Sequence, residues 1–317
     1  MKNVLLATTA LIATASVAAA EVKLSGYARF GIGYAEDRST TNDNIDDTIL
    51  VSRFRLNIDA NAETDAGVKF SARVRLEANE NQTNGEAEKA KLSGARFSVI
   101  YGGLRVDAGN VSGAIDNLAD YAGNEPGLEA FISQNAGVDY EILAFDSTEA
   151  GSNAAFFQYA VGDLAFGASY DTDPDNGADR WDVSATYTFN NVTAALAYGE
   201  TEAGDTAGAE DESLAVLTLG AEFGDLSGTL FLADDDVADD DRDGTAYGFS
   251  LAYNIGAATT ITAAYGDGSA DDDEQQYGVG FIYDLGSGAS LRGGVAHSER
   301  GDEDGRILAD FGARFNF

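Results

Sequence analysis

After residue 20 no apolar run approaches the roughly 18 residues that a membrane-spanning helix needs, yet short stretches with an apolar residue at every second position recur to the C-terminus. The last of them is the most informative. Between Gly305 and Phe317, Ile307, Ala309, Phe311, Ala313, Phe315 and Phe317 alternate with Leu308, Asp310, Gly312, Arg314 and Asn316. That is a strand with one apolar face and one mostly polar or small face. A final strand of this kind either leaves a sheet edge with unpaired amides or closes a ring by pairing with the first strand. Hydrocarbon admits only the ring.

The chain starts with Lys2, an apolar run from Val4 and the small-residue end Ala18-Ala19-Ala20, the pattern of a secretory leader over residues 1–20 that is cut before Glu21. The exported part, 21–317, is then one barrel domain. The full chain carries a formal charge of -35, and loss of Lys2 makes it -36. Such a chain has too few cations to neutralise phosphates, which excludes a nucleic-acid partner. The absence of cysteine excludes disulfides and thiolate metal sites.

Sixteen alternating segments follow: 22–35, 48–61, 68–79, 90–101, 104–111, 154–161, 164–172, 179–190, 192–201, 213–223, 226–233, 245–255, 258–266, 275–285, 289–298 and 306–317. With 37 glycines and only 2 prolines, few breakers interrupt them. Tight turns such as Tyr101-Gly102-Gly103-Leu104, Val161-Gly162-Asp163-Leu164, Phe189-Asn190-Asn191-Val192, Phe223-Gly224-Asp225-Leu226 and Tyr283-Asp284-Leu285-Gly286 supply the positive φ of short hairpins. They alternate with long acidic loops, among them Asp234 to Asp241, Asp271 to Glu274 and Asp302 to Asp304. Short turns on one rim and long loops on the other predict an all-β, sixteen-stranded antiparallel transmembrane β-barrel.

Charge tests the register by its cost. Arg53 and Arg55 share a face opposite Phe54, Leu56 and Ile58, and Arg73 and Arg75 share one opposite Val74 and Leu76. An arginine at the lipid midplane costs about 2–4 kcal/mol. Four such errors would consume a typical total stability of about 5–15 kcal/mol, so all four are expected inside. Sixteen strands tilted by about 40° make a ring some 32 Å across, too wide for side chains to fill.

One long interruption, about 112–153, carries Asp116, Asp120, Glu125, Glu129, Asp139, Glu141, Asp146 and Glu149, and no Lys or Arg occurs between Val106 and Asp179. Leu118, Tyr121, Leu128, Phe131 and Ile132 give it apolar groups to pack with, so it is expected to fold into the ring and narrow it. Of 18 basic residues after the leader, 12 precede Val106. Arg29, Arg53, Arg55, Arg73, Arg75, Arg96 and Arg105 are expected to line one wall. The loop acids Asp116, Asp120, Glu125, Glu129, Glu141 and Asp146 are expected to face them across the opening, setting a transverse field.

The chain resembles bacterial general-diffusion porins, nearest the trimeric porins of Rhodobacter-type alphaproteobacteria. The resemblance rests on Glu21-Val22-Lys23-Leu24-Ser25-Gly26-Tyr27-Ala28-Arg29, Leu92-Ser93-Gly94-Ala95, Tyr283-Asp284-Leu285-Gly286-Ser287-Gly288-Ala289-Ser290 and the terminal Phe317. It implies an inward third loop, a homotrimer in an outer membrane that contains lipopolysaccharide, and passive diffusion of ions and small hydrophilic solutes. The excess of carboxylates adds an expected weak cation preference. The alternatives are a solute-specific porin and an outer-membrane binding or adhesin barrel. No cofactor is required by this reading. Asp239, Asp241 and Asp243, followed by Gly244, match the opening of a calcium loop, but the twelfth position is Ser250, leaving at most a weak surface calcium ion on the acidic loops. His297 is the only histidine, and Ser298 beside it points to the opposite face, so no nucleophile and base pair and no enzyme is expected.

Overall fold

The computed structural model describes residues 20–39, 45–172, 178–204 and 209–317; the expected leader, 1–20, lies outside the described residues except for Ala20. No helix of the described chain is long and apolar enough to cross a membrane. The strands are β1 Glu21–Ala35, β2 Thr48–Glu63, β3 Lys69–Asn79, β4 Lys91–Leu92, β5 Arg96–Tyr101, β6 Leu104–Gly109, β7 Ala154–Val161, β8 Leu164–Thr172 and β9 Asp179–Phe189. They continue with β10 Val192–Thr201, β11 Glu212–Phe223, β12 Leu226–Asp236, β13 Gly244–Ile255, β14 Thr259–Asp267, β15 Glu274–Gly286, β16 Ala289–Arg300 and β17 Arg306–Asn316.

Neighbours in sequence pair antiparallel around a single sheet, and β17 pairs with β1 from Tyr27 opposite Asn316 to Ala35 opposite Leu308. The Gly26 amide donates to the Phe317 carbonyl at 2.8 Å and the Phe317 amide returns to Gly26 at 3.0 Å, so the last residue completes the seam. The ring is closed and has no edge.

Both β4 and β5 pair with β3, end to end, and together form one stave of a sixteen-stranded barrel. The expected continuous strand 90–101 is broken at Ser93 to Ala95 for a packing reason. There the Gly94 amide donates to the Glu149 carbonyl at 2.7 Å, and a Cβ on Gly94 would collide with the Ala150 carbonyl. Close approach of the inward loop takes the place of the ladder. A second expectation is also corrected. β15 continues through Tyr283 to Gly286, so its turn lies at Ser287 and Gly288, both at positive φ, not at Tyr283 to Gly286.

Outward side chains are apolar and uncovered: Leu50 is 70% exposed, and on β12 Leu226, Leu230 and Leu232 stand outside while Thr229, Phe231, Ala233 and Asp235 point in. In water such a surface would aggregate; in hydrocarbon it is at rest. Phe189, Phe223, Tyr253 and Tyr283 ring the short-turn rim, and Tyr170, Trp181, Tyr198, Tyr247 and Tyr277 the other. Aromatic rings at both headgroup levels, the Tyr and Trp among them amphipathic, fix the barrel's height in the bilayer.

The inner face is not uniformly wet, contrary to what alternation suggests. Ala195 and Ala197 of β10, Leu214 and Val216 of β11, Phe231 and Ala233 of β12 and Ala246 of β13 form a dry cluster. The inward loop covers it.

Candidate functional site: the lumen and its inward loop

No strand forms between β6 and β7, from Asn110 to Asn153, and this segment lies inside the ring against the wall from β7 round through the seam to β1 and β2. Ile115, Leu118, Tyr121 and Tyr140 cap the dry cluster, with Tyr121 edge-on to Phe231 at 5.5 Å between centroids. Ile132 packs on Ala264 and Ala296, and Leu128 on Ile49 and Val51. The hydrophobic effect thus seats a loop with no secondary structure of its own.

Wall side chains satisfy the loop's backbone. Asp310 accepts from the Leu128 and Glu129 amides at 2.9 and 2.8 Å, and Asp235 accepts from those of Asp139 and Tyr140. Ser250 accepts from the Asn124 amide at 2.7 Å, and Thr218 donates to the Ala119 carbonyl at 2.7 Å. Ser169 accepts from the Ala114 amide at 2.9 Å and donates to Asp182 at 2.7 Å. Buried amides bonded to carboxylates are among the stronger neutral-to-charged contacts, so these points pin the loop. Farther out, Arg242 and Arg300 both reach Asp139, tying the loop after β12 and the end of β16 to the same segment.

The arginines expected inside are inside, on a band from β1 to β6, and most meet carboxylates of their own wall. Arg73 makes a two-toothed pair with Asp59 at 2.7 and 3.0 Å. Arg53 and Arg55 both contact Glu77, which is 3% exposed, and Arg96 and Arg105 both contact Asp107, which is 1% exposed. Arg29, 6% exposed, bonds the Glu129 carboxylate at 2.9 Å and the Leu128 and Glu129 carbonyls. Arg75 donates to Asn57 at 3.0 Å and Ser147 at 2.6 Å, with Phe145 beneath it at 4.6 Å.

The acids of the loop are more scattered than expected. Glu129 does not face the basic wall across water; it touches Arg29. Asp146 spends its carboxylate on the Thr148 and Glu149 amides at 2.7 and 2.8 Å, closing its own turn. Asp120 is half-buried against the wall, where Gly220 lacks the Cβ that would strike it. Asp116, Glu125 and Glu141 are exposed. Glu141 and Asp146 share a cavity of about 600 Å³ with Phe145, Asp171, Arg180 and Glu212, between the loop and β8 to β11.

Sequence reasoning missed Arg292 of β16 and Arg314 of β17, which extend the band across the seam, and the wall acids Asp59, Glu77 and Asp107 that neutralise it. Strand parity placed all of these inside. Only pairing shows that they meet. Among the described residues no group of three or more His, Cys, Asp or Glu side chains is placed to hold a metal ion, and Asp239, Asp241 and Asp243 do not converge as one. His297 stacks outside the ring on Tyr277 at 5.0 Å, while Ser298 faces in and donates to Glu274.

With a ring that is closed, greasy outside and charged inside, the family comparison agrees in kind: a model for the Gram-negative porins matches residues 7–303. The chain belongs to the Gram-negative porin family. It is 31% identical over 312 residues to a porin of Fuscovulum blasticum and 30% identical over 325 residues to a porin of Rhodobacter capsulatus, each alignment covering 94% of this chain and all of the relative. Among solved structures, a triple mutant of the Rhodopseudomonas blastica porin superposes with a TM-score of 0.77 at 27% identity, covering 94% of this chain and all of the other. A structure described as showing asymmetric conductivity of engineered proteins gives 0.78 at the same identity and coverage. This porin therefore resides in the outer membrane, and the porins it groups with are channels rather than enzymes.

Proposed function

We propose that this porin is a general-diffusion channel for ions and small hydrophilic solutes, with a weak preference for cations. The observation that carries the reading is the narrowed lumen: a ring too wide to fill, partly occupied by a seated loop and otherwise lined by paired charges and hydroxyls. The cation preference is supported by the acidic loops at the long-loop rim and the overall charge of -35. These raise cation concentration at the mouth and are screened within about 8 Å at physiological salt. A homotrimer embedded among lipopolysaccharide is the assembly we favour, supported by the resemblance of the termini and testable by mass in mild detergent.

Reconstitution in a planar bilayer decides between readings. Stepwise conductance with a cation-favouring reversal potential at low salt, fading at high salt, is the expected result. No steps, or firm anion preference at low salt, would defeat it. A solute-specific channel has one observation in its favour, the mixed-sign cavity beside Arg180, Glu141 and Glu212. That reading requires one small solute to block conductance at far lower concentration than its analogues.

A further inference from the structure

On the basic band most guanidinium groups have a carboxylate, and two of the three exceptions lie together on adjacent strands. Arg29, Arg53, Arg55, Arg73, Arg96 and Arg105 are each within ion-pair distance of an acid. Arg292 and Arg314, like Arg75, form no such pair among the described residues. Arg314 stands directly opposite Arg29 in the β1–β17 ladder, and Ser290 stands opposite Arg314 in the β16–β17 ladder. Arg292, two residues from Ser290 on the same face, donates to the Ser290 hydroxyl at 3.2 Å. The charged group next to Arg292 is Arg314, another cation. Arg314 lies over the Tyr27 ring at 4.0 Å, and the Tyr27 hydroxyl accepts from Arg53 at 3.4 Å. All three of Tyr27, Arg292 and Arg314 are half-buried, with part of each open to the lumen.

We propose that Arg292 and Arg314, framed by Tyr27 and Ser290, form an oxyanion subsite on the lumen wall that transiently holds the phosphate or carboxylate group of a permeating solute. The physical argument is one of balance. Two guanidinium groups held side by side in a partly desolvated wall repel each other, and a planar or tetrahedral oxyanion is the group that relieves the repulsion with forked hydrogen bonds. Paired arginines elsewhere on the band are already satisfied and offer little to a passing anion. The acids at the mouth set which ions arrive; this pair sets how long an oxyanion stays. The proposal rests on the channel reading above.

The test uses the full barrel in bilayers of neutral phosphatidylcholine, so no lipid anion competes, at constant ionic strength. Inorganic phosphate and succinate are added as separate arms. We expect each to lower single-channel conductance in potassium chloride in a saturating manner, with phosphate stronger if tetrahedral geometry fits best and succinate stronger if a carboxylate does. In the double variant Arg292→Gln with Arg314→Gln, the half-blocking concentration should rise about tenfold, the loss expected for one charge-assisted contact. Arg306→Gln, which removes a charge from the far end of β17, should leave it unchanged. Normal steps that neither oxyanion diminishes in the unaltered porin would overturn the subsite without touching the channel reading. Equal weakening by Arg306→Gln would also overturn it, because a diffuse positive field would then explain the block. Should the double variant form no channels, the single variant Arg292→Gln is read in its place: a raised half-blocking concentration is expected, and an unchanged one would overturn the subsite.

Discussion

The wall of β10 to β13 and the wall of β1 to β6 obey the same alternation, yet one interior is dry and the other ionic. On the first, inward positions hold Ala197, Leu214, Val216, Phe231 and Ala246 under the loop residues Ile115, Leu118 and Tyr121. On the second they hold arginines matched to Asp59, Glu77 and Asp107. An inward side chain is therefore not defined by facing water. It is defined by what sits opposite it: a covering loop selects apolar partners, and an open lumen selects charges that neutralise each other locally.

Removing the cover should have the largest effect. Replacing residues 114–143 by a short Gly-Ser bridge should raise single-channel conductance roughly threefold, because ionic flow follows the open cross-section of a ring this wide. The same deletion wets Leu214 and Phe231 and should lower the thermal transition in detergent. Unchanged conductance would mean that the loop does not limit the pore, and the contrast between the two walls would lose its functional meaning.

A pair of neighbours sharpens the contrast at single-residue scale. Phe231→Ala should cost about 3–5 kcal/mol, because it opens a cavity beneath Tyr121 in a packed interior. Leu230→Ala, one residue away on the hydrocarbon side and 58% exposed, should cost about 1 kcal/mol or less. Thermal unfolding in detergent, followed with protease cleavage of the loop, reads both. Equal costs would show that the inner cluster is not a true core.

The smallest effect belongs to free charge. Asp116→Asn with Glu125→Gln should weaken the cation preference slightly at low salt, an effect that vanishes at high salt as the Debye length shrinks to about 3 Å at 1 M. Reversal potentials that do not move would remove these two exposed carboxylates from the ion path.

Much of this could be read from the chain. Alternation from Gly305 to Phe317 was enough to expect the seam that Tyr27 and Asn316 begin, and the cost of arginine in lipid was enough to turn Arg53, Arg55, Arg73 and Arg75 inward. The length and apolar residues of the segment after Gly109 were enough to expect it inside. What was not legible was partnership. Glu129 was expected to oppose the basic wall and instead touches Arg29, and Asp146 closes its own turn. Asp310 and Asp235, unremarkable inward residues by parity, are the acceptors that hold the loop's amides. Arg292 and Arg314 lie far from the arginine-rich first third and join it only because the ring closes.

The sequence by itself determined the closed β-barrel, because period-two patterning assigns each side chain to one of two faces and the energy of charge in hydrocarbon leaves one choice. The tertiary structure decided which inward residues stay wet. That outcome depends on contacts between segments about a hundred residues or more apart, such as Leu128 with Asp310 and Ser250 with Asn124, and no local period encodes them.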